Sequence, residues 1–173
     1  MNEEGACSAP ETIQRIRRHD PTLWNIEPYG KQLTNAEQSE LADCLLAHPD
    51  VLTHVHLSDT QLTNETGVKL ARYVAASSTV QTLCMSFNQL GEGTYLALAA
   101  ALRVNSSLRI LGLHHNQAVD QTSIDAAFIE ALRINPDRPA RSSWHLYSGG
   151  VGDVDFERLK RAADALGPPS TFS

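Results

Sequence analysis

The sequence predicts a short α/β solenoid, with a curved parallel β-sheet inside, α-helices outside and a helical cap at each end. Two observations carry this reading. An apolar pattern recurs as Leu52-x-x-Val55-x-Leu57-x-x-Thr60-x-Leu62, Val80-x-x-Leu83-x-Met85-x-x-Asn88-x-Leu90 and Leu108-x-x-Leu111-x-Leu113-x-x-Asn116-x-Ala118, with first positions 28 residues apart. The punctuation recurs in step. Lys31-Gln32-Leu33-Thr34-Asn35 returns as Thr60-Gln61-Leu62-Thr63-Asn64 and as Asn88-Gln89-Leu90-Gly91-Glu92, and Ala101-Leu102-Arg103-Val104-Asn105 returns as Ala131-Leu132-Arg133-Ile134-Asn135. A fixed interval of this size, kept at several places in the unit, marks stacked supersecondary repeats.

The elements follow in chain order. Glu11–Arg18 is an amphipathic helix, and His19-Asp20-Pro21-Thr22-Leu23 leads it into a first, degenerate unit, Leu23-x-x-Ile26 with Leu33. Within each unit a short alternating run such as Val55-His56-Leu57 directs every second side chain to one face, as a strand does. The Thr or Asn at the ninth position can bond backbone in the bend beyond the strand. A polar, Asx-rich turn suited to helix capping comes next. A helix follows, with the apolar faces Leu41–Cys44–Leu45, Leu70–Ala71–Val74 and Leu98–Ala99–Leu102. A divergent last unit begins at Trp144-x-Leu146, and a closing helix spans about Asp153 to Leu166. Neither strand nor helix can bury its apolar face alone, so stacked neighbours share one core.

These spacings resemble the leucine-rich repeat, and the 28-residue length with an outer helix resembles its ribonuclease-inhibitor-like subclass. The whole arrangement resembles the repeat domain of tropomodulins: a short leading helix, the Asp20-Pro21-x-Leu23 approach, five strand–helix units and a terminal helix. The expected organisation is an N-terminal tail over 1–9, one leucine-rich-repeat domain over 10–166 and a C-terminal tail over 167–173. Tropomodulins cap the slow-growing, pointed end of actin filaments. The resemblance thus implies a non-catalytic protein-interaction module with actin as a partner. In that family a long segment before the repeats carries further actin-binding and tropomyosin-binding elements. About ten residues precede the first helix here, so those elements are not carried over.

Composition bounds the partners. A chain of 173 residues is long enough for one core without disulfides or a structural metal. Its net charge of −6 argues against nucleic acid and anionic membranes as partners. The first residues, Met-Asn-Glu-Glu-Gly, carry no secretory signal, and the longest uncharged stretch, Tyr73–Gly91, is too polar to span a bilayer. Cys7, Cys44 and Cys84 are odd in number and widely spaced, which reads as free thiols in a reduced, cytoplasmic protein. The expectation is a monomer with a protein partner and no cofactor.

Positions three, five, seven and eight of each unit should point away from the core. They place His54, Thr82, Ile110, His56, Cys84, Gly112, Ser58, Ser86, Asp59, Phe87, His114 and His115 on the surface, with Asn25, Glu27, Tyr29, Gly30, Ser143, His145, Tyr147 and Ser148 in the outer units, whose register is open by one residue. Aromatic residues carry a large share of binding energy at interfaces. The expected partner-binding set is therefore Tyr29, His54, His56, Cys84, Phe87, His114, His115 and Tyr147.

Four other readings compete. A generic repeat scaffold for an unrelated protein is open, because repeat architecture does not fix function. His54, His56, Cys84, His114 and His145 are metal-ligand types, but no tight pair such as Cys-x-x-Cys or His-x-x-x-His is present. Ser58 or Ser86 with a nearby histidine and Asp59 could be cast as a hydrolase, yet no Gly-x-Ser-x-Gly elbow exists. A Cys84 thiolate paired with His56 is weaker than a plain thiol. The sequence therefore assigns no catalytic and no metal residue. Trp24 and Trp144 read as structural, Cys44 as core, and Arg15, Arg17, Arg18, Arg103 and Arg133 as solvated helix faces. Pro136–Arg141 is a long loop, the kind of place where variable contacts sit.

Overall fold

The computed structural model describes residues 8–28, 31–117, 120–135 and 156–167. Helix α1 (Ala9–Arg17) leads into strand β1 (Asn25–Ile26). Three strand–helix units follow helix α2 (Asn35–Ala47): β2 (His54–His56) with α3 (Asn64–Ala76), β3 (Thr82–Cys84) with α4 (Glu92–Leu102), and β4 (Ile110–Gly112) with α5 (Gln121–Ile134). Helix α6 (Phe156–Leu166) closes the described chain. The strands form one parallel sheet in the order β1-β2-β3-β4. The expected fifth strand around Trp144–Leu146, and with it Tyr147, lies outside the described residues.

The core is the repeat pattern made physical. Position one (Leu52, Val80, Leu108), position four (Val55, Leu83, Leu111) and position six (Leu57, Met85, Leu113) are all buried between sheet and helices. The helix faces anticipated from periodicity are buried against them. The starts of α1 to α5 are capped, and the caps differ instructively. Thr34 and Glu37 form a reciprocal box on α2, with Thr34 N donating to Glu37 Oε2 at 2.8 Å. Glycine 91 at the start of α4 has no side chain to offer, so Asn64 of the preceding unit accepts from Gly91 N and Thr94 N. The cap of one helix is thereby built into its neighbour.

Polar groups tie the units together inside the core. The Asn88 Oδ1 accepts from Thr60 N and Leu62 N, while its Nδ2 donates to the carbonyls of Leu57, Met85 and Ser86. Asn116 repeats the arrangement one unit on, accepting from Leu90 N and donating to Met85 O and Leu113 O. A second ladder closes the helix ends. Asn105 Nδ2 donates to Val74 O and Ser77 O, and Asn135 Nδ2 donates to Leu102 O and Asn105 O. These carbonyls would otherwise be orphaned, since the last turn of a helix has no intrahelical donor for them.

The caps have specific attachments. Ile13 and Ile16 of α1 are buried, and Asp20 accepts from Thr22 N and from Arg15 Nε at 2.8 Å. The Thr22 hydroxyl and the Arg15 guanidinium hold the Asp20 carboxyl well below the usual carboxylate range. At the other end Leu159 and Ala163 of α6 are buried, and Arg158 pairs with Asp125 of α5. Arg133 is not the solvated side chain expected from its helix face. It is half-buried and donates from Nε to Gly167 O at 3.0 Å, joining α5 to the end of α6.

Trp24 also departs from expectation. It is 58% exposed rather than packed under the leading helix. Its neighbour Leu23 takes the core position, and successive side chains of an extended segment point to opposite faces. Ser58, Thr82, Ser86 and Gly112, expected on the surface, are buried, Ser86 to 2% exposure.

Candidate functional site: the open sheet face and its rim

The open face of the sheet is a grid set by strand register. Asn25, His54, Thr82 and Ile110 fall in one row across the four strands. His56, Cys84 and Gly112 fall in the next. His54 and His56 point the same way, as residues two apart on a strand must, and their rings stack 6.5 Å apart at 8°. The exposed Trp24 meets His54 edge-on at 5.4 Å, so it joins this face from the side. Gly112 keeps the face open at the other end. A Cβ there would lie 3.2 Å from Ser86 Oγ and 3.3 Å from Cys84 Sγ.

The rim is built by the bend after each strand. Position eight is left-handed in three successive units: Asp59 at φ 55°, Phe87 at φ 56° and His115 at φ 55°. Aspartate and histidine are among the residues that tolerate this conformation, but for Phe it costs about 1–2 kcal/mol. Ladder bonds on both sides of the bend hold the backbone there. The two bulky side chains then meet. Phe87 stacks on His115 at 4.4 Å and 18°, and it meets His114 edge-on at 5.0 Å. The third side of the triangle, His114 to His115, is 5.3 Å. Ser86 Oγ lies 2.7 Å from His114 Nδ1. Ser86 is 2% exposed, and the bond orients the imidazole at the rim.

Between the grid and the rim lies an open hollow of about 550 Å³, bounded by His54, His56, Cys84, Phe87, Ile110 and His114 among others. Burial pushes the Cys84 thiol above its ordinary range, with a Gly112 backbone hydrogen bond acting in the opposite direction. The thiol is therefore protonated at neutral pH and weakly nucleophilic.

Of the eight residues the sequence singles out for partner contact, six line this one face: His54, His56, Cys84, Phe87, His114 and His115. Tyr29 and Tyr147 lie outside the described residues. Sequence reasoning missed Trp24 as a member. The available signal was its place at position two, beside a core leucine. Among the described residues no group of three or more His, Cys, Asp or Glu side chains gathers as a metal site.

Comparison with known proteins gives structural neighbours only. No family model matches, and no curated protein sequence does. The actin-binding site 2 of leiomodin-1 superposes with a TM-score of 0.72 at 16% identity, over 94% of this chain and 92% of that one. The tropomodulin C-terminal domain of Caenorhabditis elegans also superposes with a TM-score of 0.72 at 16% identity, over 91% of each chain. With its parallel strands, outer helices and stacked repeats, the chain thus has a leucine-rich-repeat fold similar to the tropomodulin and leiomodin domains.

Proposed function

We propose that this protein is a non-catalytic interaction module. It docks a protein partner on the open sheet face and its Phe87–His114–His115 rim, and actin is the partner to test first. The observation that carries the reading is the rim itself. Two bulky residues sit in left-handed backbone and join a third ring to make one exposed aromatic cluster, with Phe87 48% exposed. Side chains held at a conformational cost on a surface are characteristic of binding sites. Actin is favoured over other proteins because the leiomodin-1 domain of similar shape is an actin-binding site. The reading is of a monomer in the cytoplasm with free thiols. No helix among the described residues is long and apolar enough to cross a membrane.

The test is co-sedimentation with filamentous actin and pointed-end elongation at low salt, using the full chain and the Phe87→Ala and His115→Ala variants. The expected result is weak, salt-sensitive binding that both variants reduce. Binding that the variants leave unchanged would remove the rim from the reading. If elongation is unaffected at about 100 μM protein and nothing sediments, actin is excluded; binding weaker than this concentration leaves less than about 5.5 kcal/mol of interaction energy. The generic scaffold reading then stands.

A further inference from the structure

Two helix ends meet away from the sheet. Helix α1 ends at Arg17, and the chain reverses in a tight cap: Arg18 N donates to Gln14 O, His19 N to Ile16 O and Asp20 N to Arg15 O. His19 takes left-handed backbone, φ 50°, to complete the reversal. Helix α2 ends at Ala47, and His48 is its C-cap, donating from backbone N to Cys44 O and Leu45 O. The two imidazoles meet edge-on, with His19 Nε2 3.0 Å from His48 Nδ1.

From this geometry we infer that His19 and His48 form a two-imidazole site for a divalent transition-metal ion of copper(II) or nickel(II) type. A neutral imidazole carries one ring N–H and one lone pair, so the pair shares a single proton between two nitrogens. A metal ion replaces that proton when each ring turns a lone pair inward. With metal–nitrogen bonds of about 2.0–2.1 Å, nitrogens 3.0 Å apart subtend roughly 90° at the ion. That is the angle between neighbouring ligands in square-planar and octahedral coordination, the geometries of copper(II) and nickel(II). A tetrahedral zinc site would need the nitrogens to spread further. Copper(II) also tops the affinity order for nitrogen ligands.

The surroundings favour a cation. Both histidines stand at helix C-termini, where backbone carbonyls concentrate partial negative charge. The nearby Arg17 is turned onto Glu40 at 3.1 Å and Asp43 is held by Lys69 at 2.8 Å, while the exposed Arg18 next to His19 adds a positive charge that the helix-end carbonyls offset. Among the described residues no third side chain completes a ligand trio, so the remaining coordination positions fall to water. The ion would clamp the leading helix to the first repeat. A clamp that binds only the folded chain stabilises it by mass action.

The inference is independent of the rim and of actin. It is tested by calorimetric titration of the full chain with copper(II) and nickel(II) salts in a weakly chelating buffer, with thermal unfolding in parallel. The variants are His19→Asn, which suits left-handed backbone, and His48→Gln. A control carries His54→Gln, His56→Gln, His114→Gln and His115→Gln together. One equivalent of ion should bind the parent chain and raise its Tm. Either single variant should weaken that site by at least about tenfold, since losing a mere supporting partner of a metal ligand costs 10–100-fold. The control should retain it. A variant that fails to fold is replaced by the parent chain's own NMR spectrum, where copper(II) should selectively broaden the His19 and His48 ring resonances. A site that survives in either folded variant, disappears in the control, or leaves those resonances sharp overturns the inference.

Discussion

Phe87 offers a direct test of how the rim is built, because its side chain and its backbone make opposite contributions. The ring is about half exposed, so its burial is worth roughly 1 kcal/mol, and its stack on His115 adds about 0.5–1.5 kcal/mol. Its backbone, at φ 56°, costs about 1–2 kcal/mol. Phe87→Ala and Phe87→Gly both delete the ring and differ chiefly in backbone. Alanine keeps the left-handed cost. Glycine sheds it but gives back about 0.4–1 kcal/mol through the entropy of its unfolded chain. The glycine variant should therefore be the more stable of the two by about 0.5–1 kcal/mol. Urea unfolding followed by far-UV circular dichroism measures this as a difference in midpoint at a common slope. For a chain of this size, about 2–4 °C in Tm corresponds to 1 kcal/mol. An alanine variant as stable as the glycine variant, or more so, would refute the left-handed assignment. Partner binding, in contrast, should fall in both variants alike.

Other consequences are equally specific. Asn88→Ala leaves the buried Thr60 N–H and Leu62 N–H without their acceptor, at about 1–3 kcal/mol each, so urea unfolding should register a loss of about 2–6 kcal/mol; a loss under about 1 kcal/mol would mean the ladder is dispensable. Gly67→Ala would set a Cβ 2.2 Å from Thr94 Oγ1, which Asn64 holds at 2.9 Å and so cannot swing away. Overpacking of about 1–3 kcal/mol should exceed the gain of about 1 kcal/mol in helix propensity, and a stabilised variant in the same assay would contradict the close approach of α3 and α4. Cys84, its thiol raised by burial, should react with iodoacetamide at neutral pH at least several-fold more slowly than a free cysteine peptide, as followed by mass spectrometry, and unfolding should abolish the difference. Equal rates in the folded chain would show the thiol to be exposed.

Much of this molecule is legible in the sequence because a solenoid repeats one local solution. The 28-residue spacing alone aligns His54 with Thr82 and Ile110, and His56 with Cys84 and Gly112, which is the observed register. The rim cluster follows from the same count. The rest escapes for a common reason: it depends on what neighbouring units do to one another. Ser86 has a surface position in its own unit and is covered by the next one, whose His114 lies 2.7 Å from its hydroxyl. Gln38 looks like an ordinary helix residue, yet it is 1% exposed and bonds Leu33 O, Gln61 O and Thr63 N across two units. Arg133 looks solvated until α6 brings Gly167 O to it. His19 and His48 come together only because two helix ends converge, which no periodicity within a unit encodes.

The position of the rim is itself a consequence of the polar ladders. Thr60, Asn88 and Asn116 stand at the ninth position of successive units. Thr60 Oγ1 donates to Leu57 O, Asn88 Nδ2 to Met85 O and Asn116 Nδ2 to Leu113 O, so each ninth residue closes the bend on its own strand. Asn88 and Asn116 also reach back to the preceding unit, through Leu57 O and Met85 O. With the bend closed on both sides, position eight has little choice of backbone, and its side chain is projected off the end of the strand. At Asp59 that geometry costs little. At Phe87 it is maintained against a real preference, and only because the ladder over-determines it. The residues that make a structural repeat rigid are thus the same ones that aim the binding rings. A change at a ninth position should disturb the rim before it disturbs the core, since the apolar positions one, four and six are buried independently of the bend.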